Sequence, residues 1–141
     1  MLIKQLLNQK GHAVISVAPQ DSVYSAVALM ADKSIGAVLV LEQGKIVGVL
    51  SERDYARKVI LQDRSSKTTQ VREIMTTRVV TGRPNQTVQE SMALMTDKHI
   101  RHLPIMDGDT LLGMISIGDL VKAIIADQQF EIAQLETYIN G

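Results

Sequence analysis

The chain has 141 residues, 45% of them hydrophobic, and its 15 basic and 15 acidic residues balance to a formal net charge of zero. This length allows one compact domain or two very small ones, and the lack of a basic surplus argues against nucleic acids or anionic membranes as partners. Without cysteine, the chain has no disulfide, no thiolate metal site and no cysteine nucleophile.

The apolar runs of the chain are of strand length. None approaches the ~20 residues of a membrane span, and the first residues lack the apolar core and cleavage site of a signal peptide. We therefore expect a protein of the cytoplasm that has no membrane segment.

The predicted elements begin with a short amphipathic helix and continue as a β-α-β-β-α unit. Apolar residues at i, i+3, i+4 and i+7 indicate the second helix, and two apolar runs joined by a short glycine turn indicate a hairpin. In chain order we predict a helix at 2–9, a strand at 14–17, a helix at 22–33, strands at 37–41 and 46–50, and a helix at 51–61.

A polar segment at 63–70 leads to a second unit with the same order of elements. We predict a helical turn at 71–75, a strand at 78–82, a helix at 87–98, strands at 102–106 and 110–115, and a helix from Ser116 to residue 139. The last helix carries an apolar stripe that no other part of the chain is left to cover. This stripe either folds back on its own domain or contacts a second copy, and we expect a homodimer.

The two units are copies of one sequence. Residues 14–60 align with 79–125 at a constant offset of 65 without a gap, and 13 of the 47 aligned pairs are identical. A unit of about 60 residues is marginally stable alone, so we expect the copies to share a core as a pseudo-twofold pair in an α+β fold. The expected organisation is repeat 1 with the N-terminal helix at 1–62, a linker at 63–70, and repeat 2 with its helical extension at 71–141.

These features together resemble a pair of CBS domains, also called a Bateman module. The resemblance lies in the duplicated Gly-x-x-Ser-x-x-Asp motif, in Met75-Thr76 before the strand, and in Arg101-His102-Leu103-Pro104 at the start of the second hairpin. The stretch from Ser51 to Val59 resembles small stand-alone bacterial members whose whole chain is one pair. The resemblance implies that an adenosine compound such as AMP, ADP, ATP, NAD or S-adenosylmethionine binds in the cleft between the copies.

The repeated motif suits a nucleotide on chemical grounds. Ser51 and Ser116 lie where a strand gives way to a helix, and free amides at a helix start attract a phosphate. Asp54 and Asp119 follow one turn later, and a carboxylate can accept both hydroxyls of a ribose. The glycine three residues before each serine would leave room for the ligand. Taken alone, Ser-x-x-Asp is also a capping box, but the surrounding family features favour ribose binding.

The copies differ in their basic residues. Arg53 of the first copy corresponds to Gly118, whereas Arg101 and His102 of the second copy correspond to Gly36 and Ala37. The resemblance implies that Arg101 and His102 reach the phosphate, for which arginine is well shaped. The alternative is that they are exposed loop residues. A phosphate site favours AMP or NAD over uncharged adenosine, and Arg101 would repel the sulfonium of S-adenosylmethionine.

Adenine would have to lie between aliphatic side chains, because no aromatic residue falls in these motifs. Val80, Ile100 and Pro104 are the candidates, and their alternative role is in the core. Selection of adenine would then depend on backbone groups, as the resemblance implies.

Motifs of catalysis are missing from the sequence. It contains no phosphate loop, no dinucleotide fingerprint and no metal-ligand spacing among its histidines. We therefore expect a regulatory sensor with no enzyme activity, no catalytic cofactor and no metal, which binds AMP or NAD, or else ATP or ADP. Its terminal helices, at 2–9 and 118–139, would transmit a conformational change to an unidentified regulated protein or a second subunit. The alternatives are a constitutive structural or dimerisation module and, third, a nucleotide-processing enzyme.

Overall fold

Two β-hairpins, each set between helices, form the framework of the chain. The structure is a computed structural model, and it describes residues 1–140. The first half contains α1 (Ile3–Lys10), β1 (Ser16–Val17), α2 (Val23–Lys33), β2 (Ala37–Glu42), β3 (Lys45–Ser51) and α3 (Glu52–Tyr55). The second half contains α4 (Val71–Ile74), α5 (Val88–Lys98), β4 (His102–Asp107), β5 (Thr110–Ser116) and α6 (Ile117–Asn140). The fold is mixed α+β, as predicted.

The two corresponding helices α2 and α5 begin at side-chain caps. The Ser22 hydroxyl accepts the amide hydrogen of Ser25 at 3.1 Å, and the Thr87 hydroxyl accepts that of Glu90 at 3.0 Å. These bonds satisfy amides that have no partner inside a helix. The predicted bounds of both helices are confirmed to within one residue.

The sheets are built on the two predicted hairpins. β1, β2 and β3 form one sheet in that order, with β1 parallel to β2, and β4 and β5 form an antiparallel pair. The predicted strand at 78–82 is wrong, because this segment makes a single bridge, from Gly82 to Ile105. Glycine is unfavourable in a strand. Packing nevertheless favours glycine at residue 82, because a Cβ there would lie only 2.7 Å from a methyl of Leu103.

The helix that follows Ser51 differs from its prediction. α3 passes at once into a π-helix, Ala56–Ile60, where we predicted one regular helix to residue 61. The wider turn is visible in the bond from the Leu61 amide to the Ala56 carbonyl, five residues back. In this segment the Lys58 ammonium donates to the carbonyl of Ile74 at 2.9 Å, which fixes the π-helix against the end of α4.

The described residues form two compact units, each with its own apolar core. The first-repeat unit comprises residues 14–79, and the second-repeat unit comprises residues 1–13 together with those from 80 onward. The core of the first-repeat unit consists of Val23, Ala26, Met30, Val38, Val40, Leu50, Val59, Val71 and Ile74. The core of the second-repeat unit consists of Ile3, Leu6, Leu7, Val88, Met95, Leu103, Ile105, Ile115, Leu120 and Ala123.

The N-terminal helix belongs to the second-repeat unit. The Ile3 amide donates to the Gln86 carbonyl at 2.9 Å, and the Val88 amide donates to the Met1 carbonyl at 3.0 Å. Our sequence boundaries grouped this helix with repeat 1, and the compact units differ from them here. The reason is burial, because Ile3 and Leu7 are fully enclosed in the second core.

The segment between the repeats is likewise held in the first-repeat unit. Amides of α2 residues Val23 and Tyr24 donate to the carbonyls of Thr69 and Ser66, both at 2.9 Å, and the Lys67 ammonium lies 5.2 Å from the Tyr24 ring centroid. Helix α4, which lies where predicted, continues this contact, since the Val71 amide donates to the Asp21 carbonyl at 2.8 Å. The predicted linker at 63–70 is therefore packed against α2.

Gly48 in β3 and Gly113 in β5 leave room for side chains from the end of α4 and from α1, respectively. A Cβ at Gly48 would lie 2.7 Å from the sulfur of Met75, and a Cβ at Gly113 would lie 2.8 Å from a methyl of Leu7. We expected a ligand to approach these positions. The structure places protein side chains there instead.

Helix α6 is the longest element, with 24 residues. Its first turns are anchored by Leu120 and Ala123, which are buried, whereas residues 128–140 are all exposed. Within residues 1–140, no helix combines the length and apolar character needed to cross a membrane.

Candidate nucleotide site

The two Ser-x-x-Asp motifs fold as capping boxes at the ends of β3 and β5. The Ser51 hydroxyl accepts the Asp54 amide hydrogen at 3.1 Å, and the Asp54 carboxylate accepts the Ser51 amide hydrogen at 3.0 Å. The same reciprocal bonds join Ser116 and Asp119, at 3.1 and 2.8 Å. Capping is thus a real role of these residues, and a role in ribose binding stays a prediction.

Asp54 is almost enclosed, with 9% of its surface exposed. Its Oδ1 accepts the Thr76 hydroxyl at 3.2 Å and lies 3.1 Å from the Lys58 ammonium, while its Oδ2 is bonded to Ser51. Both carboxylate oxygens therefore have protein partners. A ribose could bind Asp54 only by displacing one of them.

Asp119 is engaged on one side. Its Oδ2 takes the Ser116 amide hydrogen and a hydrogen of the Lys10 ammonium, the latter at 2.6 Å. Lys10 also donates to the carbonyl of Met114, again at 2.6 Å. The hydrogen bonds from the Lys10 ammonium and the Ser116 amide both use Oδ2.

The electrostatics of Asp119 favour its ionised form. Partial burial alone would raise the pKa of the Asp119 carboxyl, but hydrogen bonds from Lys10 and the Ser116 amide, with the Lys10 charge, hold the pKa below its ordinary value. The carboxylate and the ammonium are 23% and 36% exposed, so water and a ligand can reach both groups.

Arg101 and His102 lie at the same junction as Ser116 and Asp119. The Arg101 carbonyl accepts the amide hydrogen of Ile117, the first residue of α6, at 2.9 Å. His102 is the register partner of Ser116 across the β4–β5 hairpin, and Arg101 is exposed. The backbone of Arg101 and His102 therefore lies beside the Ser116–Asp119 box.

The first repeat has the same backbone geometry with different side chains. The Glu52 amide donates to the carbonyl of Gly36 at 3.0 Å, and Ala37 is the register partner of Ser51. Arg53 is exposed on the first turn of α3. At the matching position, a Cβ on Gly118 would have only the Ser116 hydroxyl nearby, at 3.6 Å, so packing does not require the glycine.

Two of the three predicted adenine contacts pack against the second core, and the third is buried in β4. Val80 and Ile100 are partly buried against it, and Pro104 is buried in β4, where its carbonyl accepts the Gly82 amide hydrogen at 2.8 Å. Their core role is thus observed. A contact with adenine stays a prediction.

Sequence reasoning missed three residues that touch the carboxylates: Lys10, Lys58 and Thr76. Lys58 is four residues after Asp54, a spacing that places both on one helix face and could have been read. Thr76 was noticed only as part of a family motif. Lys10 is 109 positions from Asp119 and gave no local signal. Among residues 1–140 there is no group of three or more histidine or acidic side chains placed to hold a metal ion.

The repeat seen in the sequence corresponds to a known domain. The family described as CBS domain matches residues 10–61 and again 71–126. The chain belongs to the CBS domain family. Each half is one CBS repeat, and the Ser-x-x-Asp box closes the hairpin of each repeat.

The chain is similar to plant and bacterial CBS proteins. It is 42% identical over 126 residues to the mitochondrial CBS domain-containing protein CBSX3 of Arabidopsis thaliana, with 86% of this chain and 61% of that protein covered. It is 38% identical over 107 residues to YhcV of Bacillus subtilis, with 76% of each covered. The chain thus spans less than two thirds of the length of the plant relative.

Solved structures of CBS proteins have the same fold. A protein with CBS domains from Burkholderia ambifaria is 52% identical and superposes with a TM-score of 0.87, covering 91% of this chain and 96% of that one. The likeness therefore extends over nearly all of both chains.

Proposed function

We propose that this CBS protein is a regulatory module whose second repeat binds an adenosine nucleotide at the start of α6. The observation that carries the proposal is the position of Arg101 and His102 beside the Ser116–Asp119 box, where the Arg101 carbonyl accepts the first amide hydrogen of α6. In the first repeat the corresponding residues are Gly36 and Ala37, and Asp54 is enclosed. The second repeat is for this reason the preferred site.

The nucleotide phosphate would lie at the start of α6. The amides of Ile117 and Asp119 are bonded to Arg101 and Ser116, and Gly118 between them presents its amide with no side chain to obstruct an approach. Backbone amides and the positive end of a helix dipole attract a phosphate. The exposed Arg101 guanidinium supplies the directional charge.

The ribose would bind the second oxygen of Asp119. The depressed pKa of this carboxyl keeps it ionised, so it accepts hydrogen bonds from both hydroxyls. Lys10 lies on the other oxygen. A ligand that drew Lys10 away would weaken the tie between α1 and α6, and the signal would pass through these two helices.

The ligand class that best fits is AMP or NAD, with ATP and ADP as further members. A related CBS pair, protein MJ0100, was crystallised with 5-methylthioadenosine and S-adenosyl-L-methionine; it is 22% identical to this chain, a level at which only the fold is shared. The adenosine moiety is common to all these ligands. Arg101 and Lys10 would oppose a sulfonium and favour a phosphate.

Titration calorimetry with AMP, ATP and NAD tests the proposal. We expect binding by wild-type protein and a loss of affinity of about tenfold or more in Arg101→Ala, because a charge-assisted hydrogen bond contributes about 1.5–3 kcal/mol. Arg83→Ala is the matched control, since Arg83 is another exposed arginine of the same unit. Asp119→Ala should weaken binding while the protein stays folded.

The same samples separate the alternatives. The absence of heat at millimolar nucleotide would reject the sensor and favour a constitutive structural module. Conversion of the nucleotide during incubation, monitored by chromatography, would favour an enzyme.

The regulated protein is unidentified, and a location in the cytoplasm remains a prediction.

A further inference from the structure

Helix α6 presents an exposed apolar seam with a seven-residue period. Isoleucine recurs at 125, 132 and 139, and Val121, Gln128 and Leu135 each lie four residues before one of these isoleucines. The five apolar members are 43–77% exposed, and Gln128 is exposed as well. Isoleucine and leucine at alternating spacings of three and four are the pattern of a coiled-coil interface. These six residues are called the α6 seam below.

The α6 seam is distinct from the face that anchors the helix. Leu120 and Ala123 are buried and Ile124 is partly buried in the second core. The seam residues Val121 and Ile125 lie next to them in sequence but on another side of the helix, and both are exposed. Nothing within residues 1–140 therefore covers the seam. A row of this length in water requires a partner surface.

The α6 seam is complementary to itself in an antiparallel arrangement. Aligning the helix with a reversed copy pairs Val121 with Ile139, Ile125 with Leu135, and Gln128 with Ile132, and the same pairs recur on the other side of the twofold axis. Each of the six positions thus meets another seam position. We propose that a second copy of this chain covers the seam, with the two α6 helices antiparallel.

The charges beside the seam favour this direction. In the antiparallel pair, Lys122 faces Glu136 of the second copy twice. The one like-charge contact is at the twofold axis, where Glu131 faces Glu131 of the second copy. In a parallel pair, Glu131 would face Glu136 of the second copy twice, without a compensating cation. Opposite charges beside a coiled-coil seam select partner and direction, and like charges oppose pairing.

The oligomeric state tests the pairing through a matched pair of variants. We expect wild-type protein at about 50 μM to have the mass of a dimer by light scattering, and Ile132→Glu to have that of a monomer. Phe130→Glu is the control, because Phe130 is 63% exposed on the same helix but lies outside the seam, and it should remain a dimer. A monomeric wild-type protein, or a dimer retained in Ile132→Glu, would overturn the proposal.

The direction of the helices is tested by cross-linking, which the absence of cysteine makes simple. Val121→Cys and Ile139→Cys proteins, mixed and oxidised, should form a mixed disulfide. Ile139→Cys alone should form little, because 18 residues of helix would separate the two sulfurs by about 27 Å. Efficient self-linking of Ile139→Cys would show a parallel pair and refute the antiparallel one. Neither experiment depends on nucleotide binding.

Discussion

Lys10 and Asp119 form an ion pair of 2.6 Å that joins the end of α1 to the first turn of α6. Lys10 also bonds to the Met114 carbonyl of β5. One ammonium group therefore connects the N-terminal helix, the second hairpin and the capping box of the proposed site. In the first repeat, Asp54 pairs with Lys58 of the π-helix that follows it, and Thr76, two residues after α4, donates a hydroxyl hydrogen to the same carboxylate.

The stabilising effect of Asp119 should depend on pH. Because its folded pKa lies below the ordinary 3.8, the ionised carboxylate stabilises the fold above about pH 3.8, and this contribution is lost as pH falls through the lower folded pKa. Asp119→Asn should be less stable than wild type by about 1 kcal/mol at pH 7, since it weakens a cap and a partly exposed ion pair. The difference should shrink below pH 3.8.

Urea unfolding at pH 7, 5 and 3 measures this difference. Asp109→Asn is the control, because Asp109 is an exposed acid in the turn of the same hairpin and should show no such trend. A constant gap between Asp119→Asn and wild type over the whole range would contradict the assignment.

The two hairpin glycines should respond unequally to alanine. At Gly48 a Cβ would meet not only Met75 but also the backbone carbonyl oxygen of Thr76 at 3.0 Å, which cannot move away easily. At Gly113 the obstacle is one methyl of Leu7, and the nearest backbone atom is 3.7 Å away. We expect Gly48→Ala to lower the free energy of unfolding by about 1–3 kcal/mol and Gly113→Ala by less.

Thermal or urea unfolding of the two alanine variants gives the comparison. Adding Leu7→Val should restore part of the stability of Gly113→Ala by removing the crowded methyl. Equal losses at both glycines would show that backbone crowding at Gly48 is unimportant.

Lys58 should stabilise the π-helix of the first repeat. Its ammonium bonds to the Ile74 carbonyl and lies 3.1 Å from Asp54, although its side chain is 45% exposed. Lys58→Met should therefore reduce stability by only about 0.5–1 kcal/mol, and hydrogen exchange of residues 56–61 should accelerate. Arg57→Met, an exposed neighbour, should change neither quantity; similar behaviour of the two variants would argue against a specific role of Lys58.

Ser34 ends α2 in the left-handed conformation, with φ 55°. Glycine adopts this conformation without the steric penalty that other residues incur. Ser34→Gly should thus raise the free energy of unfolding by about 0.5 kcal/mol, whereas Lys33→Gly, one residue earlier and inside the helix, should lower it by about 1 kcal/mol. A destabilised Ser34→Gly variant would mean that the serine side chain has a further contact.

Sequence predicted the parts of this fold that depend on neighbours in the chain. The bounds of α2 and α5 and the hairpin strands follow from local patterns, and they were confirmed. The strand at 78–82 failed because its partner β4 carries Pro104, which has no amide hydrogen to donate, at the position where Leu39 of the first repeat donates to the Ile15 carbonyl.

The partners of the candidate site were harder to predict. Arg101 and His102 were found because the repeat exposes a difference between the copies. Lys10 was missed because the apolar face of α1 shows that the helix packs, but not on which repeat. Only the burial of Ile3 and Leu7 in the second core brings Lys10 to Asp119.

Helix α1 precedes the first repeat but packs on the second, and this arrangement has a consequence for synthesis on the ribosome. The first-repeat unit, residues 14–79, is continuous and can close as soon as α4 has emerged. The second-repeat unit is interrupted, because α1 is made before the first repeat yet packs on a hairpin made about a hundred residues later. During that interval Ile3, Leu6 and Leu7 have no core to enter, so α1 is the segment that chaperones would meet unfolded.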